Sequence, residues 1–332
     1  MNLRTCFNSG GPLLMEGALG ERLKREYGLS FAGPVAMAEL VLSEGGRNAL
    51  RSLWTGYAAI ARRYGLPFLA TTPTRRANRE RMRLAGHDVG LLEANVRFLR
   101  EIERVLRRRD GLEMYVGGLM GCRGDAYTGE GALPTAVEAR EFHDWQARGL
   151  KDAGADFLYA GIMPTLPEAQ GMAEAMADTG LPYIISFTIE AGGTLADGTP
   201  IHTAIAAIDR KASPAPLCYM ANCVHPSLVR RALSRPWNRT GLVRERFLGL
   251  QANASSLSHA ELDGAGGLHG SDPEALADEI LLLRREAGLR ILGGCCGTDD
   301  RHMEAVAERL SGAWEESALT SGSSGRKNAS EQ

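Results

Sequence analysis

Ile291-Leu292-Gly293-Gly294-Cys295-Cys296-Gly297-Thr298 is a short apolar run that breaks into two glycines, two adjacent cysteines and a third glycine. Side chains alternate between faces along a strand, so neighbouring thiols meet on one object only where the backbone leaves the extended form. Gly294 and Gly297 are expected to allow that bend by adopting positive φ. The plainer alternative is a pair of small buried residues at a strand end, because free cysteine packs as a small hydrophobe. Residues 301–310 follow with helical character, so the stretch reads as strand, glycine turn and helix.

The same unit recurs back along the chain. Strands are expected over residues 12–15, 67–71, 114–119, 156–160, 182–188, 217–221, 246–252 and 290–292. Helices are expected over 21–27, 46–64, 93–109, 137–153, 167–179, 203–211, 226–234, 273–286 and 301–310. Val96, Leu99, Ile102 and Leu106 form one helical stripe, and Gly154 and Gly288 are stop signals. Several strands are continuous apolar runs, as in a parallel sheet covered on both sides. Eight such units predict a (β/α)8 TIM barrel, with a doubly wound open sheet as the alternative. Residues 1–312 are assigned to this single α/β domain, and the Ser- and Gly-rich residues 313–332 to a disordered C-terminal tail.

Apolar residues make up 44% of the 332 and charged residues 23%, with a net charge of −2. That balance gives no basic surface for nucleic acid. No run approaches the roughly 18 apolar residues needed to cross a bilayer, and the N-terminus lacks a charged segment leading into an apolar stretch and cleavage site. A cytoplasmic location is therefore expected. The six cysteines are too sparse for a disulfide scaffold, so clustered ones read as metal ligands or nucleophiles.

In a barrel of this kind the chemistry sits at the C-terminal ends of the strands. Cys223 ends the sixth expected strand, and Cys295 and Cys296 end the eighth. Inward side chains form layers drawn from alternate strands, so the three thiols are expected to converge at the mouth. Three thiolates with an open fourth position describe a catalytic rather than a structural zinc site. A substrate thiol in that position would be held as thiolate, which suits alkyl transfer to sulfur. Cys218 reads as core, Cys6 as incidental and Cys122 as a supporting residue at most. His225 and His259 fall near strand ends, but the histidines show no metal-ligand spacing and no phosphate-binding glycine loop is present.

Taken together, these residues resemble the homocysteine S-methyltransferase family, zinc-dependent barrels that methylate a thiol from betaine, S-methylmethionine or S-adenosylmethionine. The resemblance covers residues 12–310. It is carried by Asn222-Cys223 with His225-Pro226, and by Gly293-Gly294-Cys295-Cys296-Gly297, which in the family hold the zinc. Ser186-Phe187-Thr188 with Leu195 and Asp197-Gly198, the loop from Gly124 to Gly129, and Glu168-Ala169 support it. The resemblance implies Cys223, Cys295 and Cys296 as metal ligands. Substrate contacts are expected from Glu16, Gly17, Thr72, Thr74, Arg75, Gly161, Ser186 and Asn222.

Three departures fall on the acceptor pocket. Glu16-Gly17-Ala18 stands where the family has Asp-Gly-Gly, Thr72-Pro73-Thr74-Arg75 where it has Thr-x-Thr and an aromatic, and Gly161-Ile162 where it has Glu-Thr. The family's glutamate is expected to hold the acceptor's ammonium. Its loss removes a charge-assisted bond of about 1.5–3 kcal/mol. The expected acceptor is thus homocysteine or a different small thiol, with Arg75 or Arg76 available to a carboxylate. A sulfonium donor is favoured over betaine. Two rival readings are open to the same residues: demethylation of the donor as the physiological role, or a non-catalytic zinc- or thiol-binding barrel that has lost methyl transfer.

Overall fold

Runs rich in Leu, Ile, Phe and Tyr alternate with amphipathic helices, and each strand pairs in parallel with the strands before and after it. The computed structural model describes residues 2–255 and 271–323. Its strands are β1 (Leu13–Met15), β2 (Phe68–Thr71), β3 (Met114–Gly121), β4 (Phe157–Met163), β5 (Tyr183–Phe187), β6 (Cys218–Val224), β7 (Phe247–Ala252) and β8 (Ile291–Gly294). Pairing of β1 with β8 through Leu13 and Ile291 closes the barrel. The expected (β/α)8 fold is the observed one, and the open-sheet alternative is not.

Alternation along the strands divides the apolar residues between two cores. Tyr115 and Leu119 of β3 join Leu13, Leu69, Phe157, Ile184 and Ile291 inside the barrel. Met114, Val116 and Met120 face outward with Leu14, Ala70, Ile185 and Leu292. Against this outer face pack α2 (Gly20–Tyr27), α3 (Glu44–Arg63), α5 (Gly90–Asp110), α6 (Ala136–Asp152), α7 (Leu166–Ala177), α8 (Ile201–Lys211), α9 (Pro226–Leu233), α11 (Pro273–Ala287) and α12 (Asp300–Ser323). Serine or threonine caps start α3 and α6, and left-handed Gly111 and Gly288 end α5 and α11.

Four short elements were not anticipated: α1 (Leu3–Asn8), a 3-10 turn at Ala36–Leu42, α4 (Arg79–Leu84) and α10 (Gly241–Arg246). Each is too short to show a helical period. Strands β4 and β6 also continue past their expected ends at residues 160 and 221, for a backbone reason that matters at the site. The last helix runs through Ser323, beyond the domain end drawn at residue 312. Residues 324–332 of the expected tail, and His259, lie outside the described residues.

Helix α1 closes the N-terminal end of the barrel. Leu3, Cys6 and Phe7 are buried in the interior core, so Cys6 is a packing residue rather than an incidental one. The Arg290 guanidinium lies 4.1 Å from the centre of the Phe7 ring and donates to the Phe7 carbonyl. We expect Phe7→Ala to cost about 3–5 kcal/mol, as large-to-small changes at buried aromatics do. The check is the midpoint of urea unfolding.

Candidate metal centre

A regular β6 would turn either Asn222 or Cys223 inward, not both. Asn222 pairs with Gln251 and Val224 with Ala252, so Cys223 is one residue more than β7 supplies. It takes φ 60°, the left-handed region, and forms a β-bulge. A non-glycine residue held there costs on the order of 1–3 kcal/mol. This is why the strand continues through Asn222, where a polar residue reads as its end.

Cys295 and Cys296 lie on the turn that leaves β8. Thr298 N donates to the Cys295 carbonyl at 3.2 Å, and Gly297 has the positive φ, 78°, that the third place of a type II turn requires. The expectation for Gly294 is corrected: it does not take positive φ. Its role is space, because a Cβ would stand 2.3 Å from Thr298 Oγ1. The β1 loop backs this turn. Gly294 N donates to the Glu16 carbonyl, Ala18 N to Thr298 Oγ1, and Gly297 N to Glu21 Oε2 at 2.6 Å.

These two backbone devices bring the thiols of Cys223, Cys295 and Cys296 within 4.8 Å of one another. Tetrahedral zinc with Zn–S distances of about 2.3 Å spaces its thiolates about 3.8 Å apart, so the cluster fits the ion with inward movement of about 1 Å or less. Without metal, hydrogen bonds among the thiols and burial push the Cys295 pKa up. The bond to Cys223 leads the causes that push Cys296 up to about 12. Three crowded thiols, two of which resist deprotonation alone, are suited to a cation that replaces their protons.

Two donors reach Cys223 Sγ: the Tyr127 hydroxyl at 3.7 Å and Asn253 Nδ2 at 3.6 Å. Burial and the nearby sulfurs hold the Tyr127 phenol protonated, well above its usual range. Tyr127 belongs to the anticipated loop, which Asp125 shapes by accepting from Tyr127 N and Thr128 N at 2.8 Å. Buried Glu168 ties down both ends of that loop through Arg123 N and Leu133 N, and pairs with His143. Asn253 and His143 carried no motif. Only Asn253's position just past β7, on the chemical face of the barrel, marked it.

The other expected residues divide. Asn222 is buried beside Cys223 and accepts from Tyr159 OH at 3.2 Å, and Ser186 is buried beside the same phenol. Gly161 also faces the interior: a Cβ there would meet Leu119, Asn222 Oδ1 and Tyr159. Thr72 and Thr74 bond to each other at 2.7 Å and to the backbone of Leu119. Gly17 makes room for the Tyr57 hydroxyl, which a Cβ would approach to 2.7 Å. His225 caps α9 through Nδ1, and burial lowers its pKa. Cys218 is core, as expected. Cys122 is buried and directs its thiol to the Gly124 carbonyl.

A parallel barrel with three convergent thiols on its C-terminal face belongs to the class of barrels whose mouth carries a cysteine cluster able to hold a metal. Residues 13–310 match the homocysteine S-methyltransferase family model, and the chain belongs to that family. It is 28% identical to a homocysteine S-methyltransferase of Escherichia coli over 190 residues, 56% of this chain and 57% of that protein. It is 28% identical to homocysteine S-methyltransferase 4 of Zea mays over 197 residues, 56% of this chain and 54% of that protein. The matched segment thus spans just over half the length of these relatives. The fold is also that of the homocysteine methyltransferase MmuM of Escherichia coli. Its oxidised form gives a TM-score of 0.75 at 23% identity, covering 92% of this chain and 99% of that one. Its metallated form gives 0.72 with the same identity and coverage.

Glu16 accepts from Thr71 N at 3.0 Å and from Thr71 Oγ1 at 2.6 Å, but burial outweighs these bonds and pushes its carboxyl up to about 8. An acid that keeps its proton when folded and loses it when unfolded contributes stability that is full below its ordinary value and is lost as pH rises through its folded value. Relative to Glu16→Gln, the protein should lose roughly 1.4 kcal/mol per unit between about pH 5 and pH 8. Paired urea titrations across that range read the difference.

Proposed function

We propose that the protein is a zinc-dependent S-methyltransferase acting through the barrel of residues 1–312. It moves a methyl group from a sulfonium or ammonium donor, of the S-methylmethionine, S-adenosylmethionine or betaine type, to homocysteine or a different small thiol. The observation that carries this reading is the convergence of Cys223, Cys295 and Cys296 within 4.8 Å, joined among the described residues by no fourth Cys, His, Asp or Glu. Family membership supports the reaction class. Zinc bound by these cysteines would supply a Lewis acid that keeps an acceptor sulfur as thiolate at neutral pH.

The chain's own residues prepare the rest. Tyr127 and Asn253 donate to Cys223 Sγ, fixing that sulfur and withdrawing charge from it. The loop held by Glu168 brings Tyr127 to Cys223, and the turn held by Glu21 carries Cys295 and Cys296. The methyl carbon gains a bond to the acceptor sulfur as its bond to the donor's onium atom breaks. The donor leaves carrying that electron pair, and the thiol proton passes to solvent. Alignment of the two reactants for in-line attack is the barrel's main contribution. A cytoplasmic setting fits six free cysteines, and no helix of the described residues is long and apolar enough to cross a membrane.

Cys223→Ala, Cys295→Ala and Cys296→Ala should each lower bound zinc from about one per chain to below a tenth, measured by metal analysis after dialysis. A chelator should abolish methyl transfer and added zinc should restore it. Full zinc content with no methyl transfer between any of these donors and a panel of thiols would instead establish the non-catalytic barrel.

A further inference from the structure

We propose that the acceptor is a small thiol bearing a carboxylate and no ammonium group, and that Arg75 reads the carboxylate. This rests on the thiol chemistry proposed above. Two inward-facing glycines stand side by side on the barrel lip: Gly121 at the end of β3 is the Cα partner of Gly161 in β4. A Cβ on Gly121 would lie 2.5 Å from Arg75 Cγ and 2.9 Å from the Arg75 carbonyl, so the Arg75 stem runs across the inner face of the lip. Beside it, a Cβ on Gly161 would lie 2.8 Å from Leu119 Cδ1 and 3.4 Å from Asn222 Oδ1. The stretch of lip at these two glycines, the notch, is filled by the Arg75 stem, Leu119, Tyr159 and Asn222, the residue next to Cys223.

The charges around the notch are unbalanced. Arg75 is partly buried and makes no hydrogen bond or ion pair with the described residues, whereas its neighbour Arg76 is exposed. Four carboxylates that shape the described part of the mouth are already committed. Glu16 is engaged by Thr71, Glu168 by Arg123 N, Leu133 N and His143, Asp125 by Tyr127 and Thr128, and Glu21 by Gly297 N. Asp125 is felt by Arg75 electrostatically but forms no ion pair with it. Among the described residues Arg75 is therefore left without an ion-pair partner, and none of the side chains that fill the notch is a carboxylate. A guanidinium offers a planar fork that matches a carboxylate in two bonds. An α-amino group brought to the same notch would meet Leu119 and a positive charge.

Three thiols of one skeleton separate the contributions: homocysteine, 4-mercaptobutyrate, which lacks the amino group, and 3-aminopropanethiol, which lacks the carboxylate. Their binding to the zinc-loaded full chain, without donor, is measured by calorimetry. We expect 4-mercaptobutyrate to bind at least tenfold more tightly than 3-aminopropanethiol and no more weakly than homocysteine. Arg75→Ala should weaken 4-mercaptobutyrate tenfold or more and leave 3-aminopropanethiol unchanged, and Arg75→Lys should recover part of the loss. Tenfold tighter binding of either aminated thiol, an equal loss for all three in Arg75→Ala, or no binding of any thiol would overturn the inference. If the expected binding order is found but no donor methylates the bound thiol, the acceptor assignment stands and the proposed reaction falls.

Discussion

A β-strand shows only every second side chain to the inside of a barrel, and a three-thiol site must break that rule twice. The bulge at Cys223 does so within β6, where left-handed φ turns a second consecutive residue toward the interior. The turn after β8 does so outside the ladder, using the positive φ of Gly297. Both devices are held from elsewhere: Asn253 and Tyr127 bond the Cys223 sulfur, and Glu16 and Ala18 of the first loop with Glu21 of α2 bind the Cys295-Cys296 turn. The local backbone cost is thereby met by contacts that reach around the barrel.

Strand β4 carries a second bulge of the same kind. Ala160 pairs with Ile185 and Met163 with Phe187, so one extra residue sits between them, and Ile162 takes φ 60°. A β-branched residue in that region is a marked outlier. The bulges of β4 and β6 flank β5, and Asn222 Oδ1 lies near the inner face of Gly161. The irregular backbone is therefore concentrated on the side of the mouth where ligand and lip meet. Acidic groups there are consumed in holding loops or kept protonated by burial, as Glu16 is. Arg75 is a half-buried cation there that forms no ion pair with the described residues.

Much of this is legible in the sequence. Continuous apolar runs followed by amphipathic helices define the barrel, and strand ends locate Cys223, Cys295 and Cys296 at one mouth. Periodicity failed where elements are shorter than two turns, as in α1, and where a strand bends instead of stopping, as at Gly161 and Asn222. The residues that steady the thiols were the least visible. Asn253 acts through a single side-chain bond, and His143 through Glu168, so neither leaves a spacing pattern. Thr72 and Thr74 lie where the resemblance expects substrate contacts, and their hydroxyls bond each other and the Leu119 backbone.

The floor of the barrel has a consequence for traffic. Leu3, Cys6 and Phe7 seal the end opposite the thiols, and Arg290 braces the seal. Above that seal the interior is filled by buried side chains, so no passage runs through the barrel. In the proposed reaction, donor and acceptor must enter through the same rim by which both products leave. Whichever reactant sits deeper is then loaded first and released last, so the order of events is imposed by a helix at the far end of the molecule.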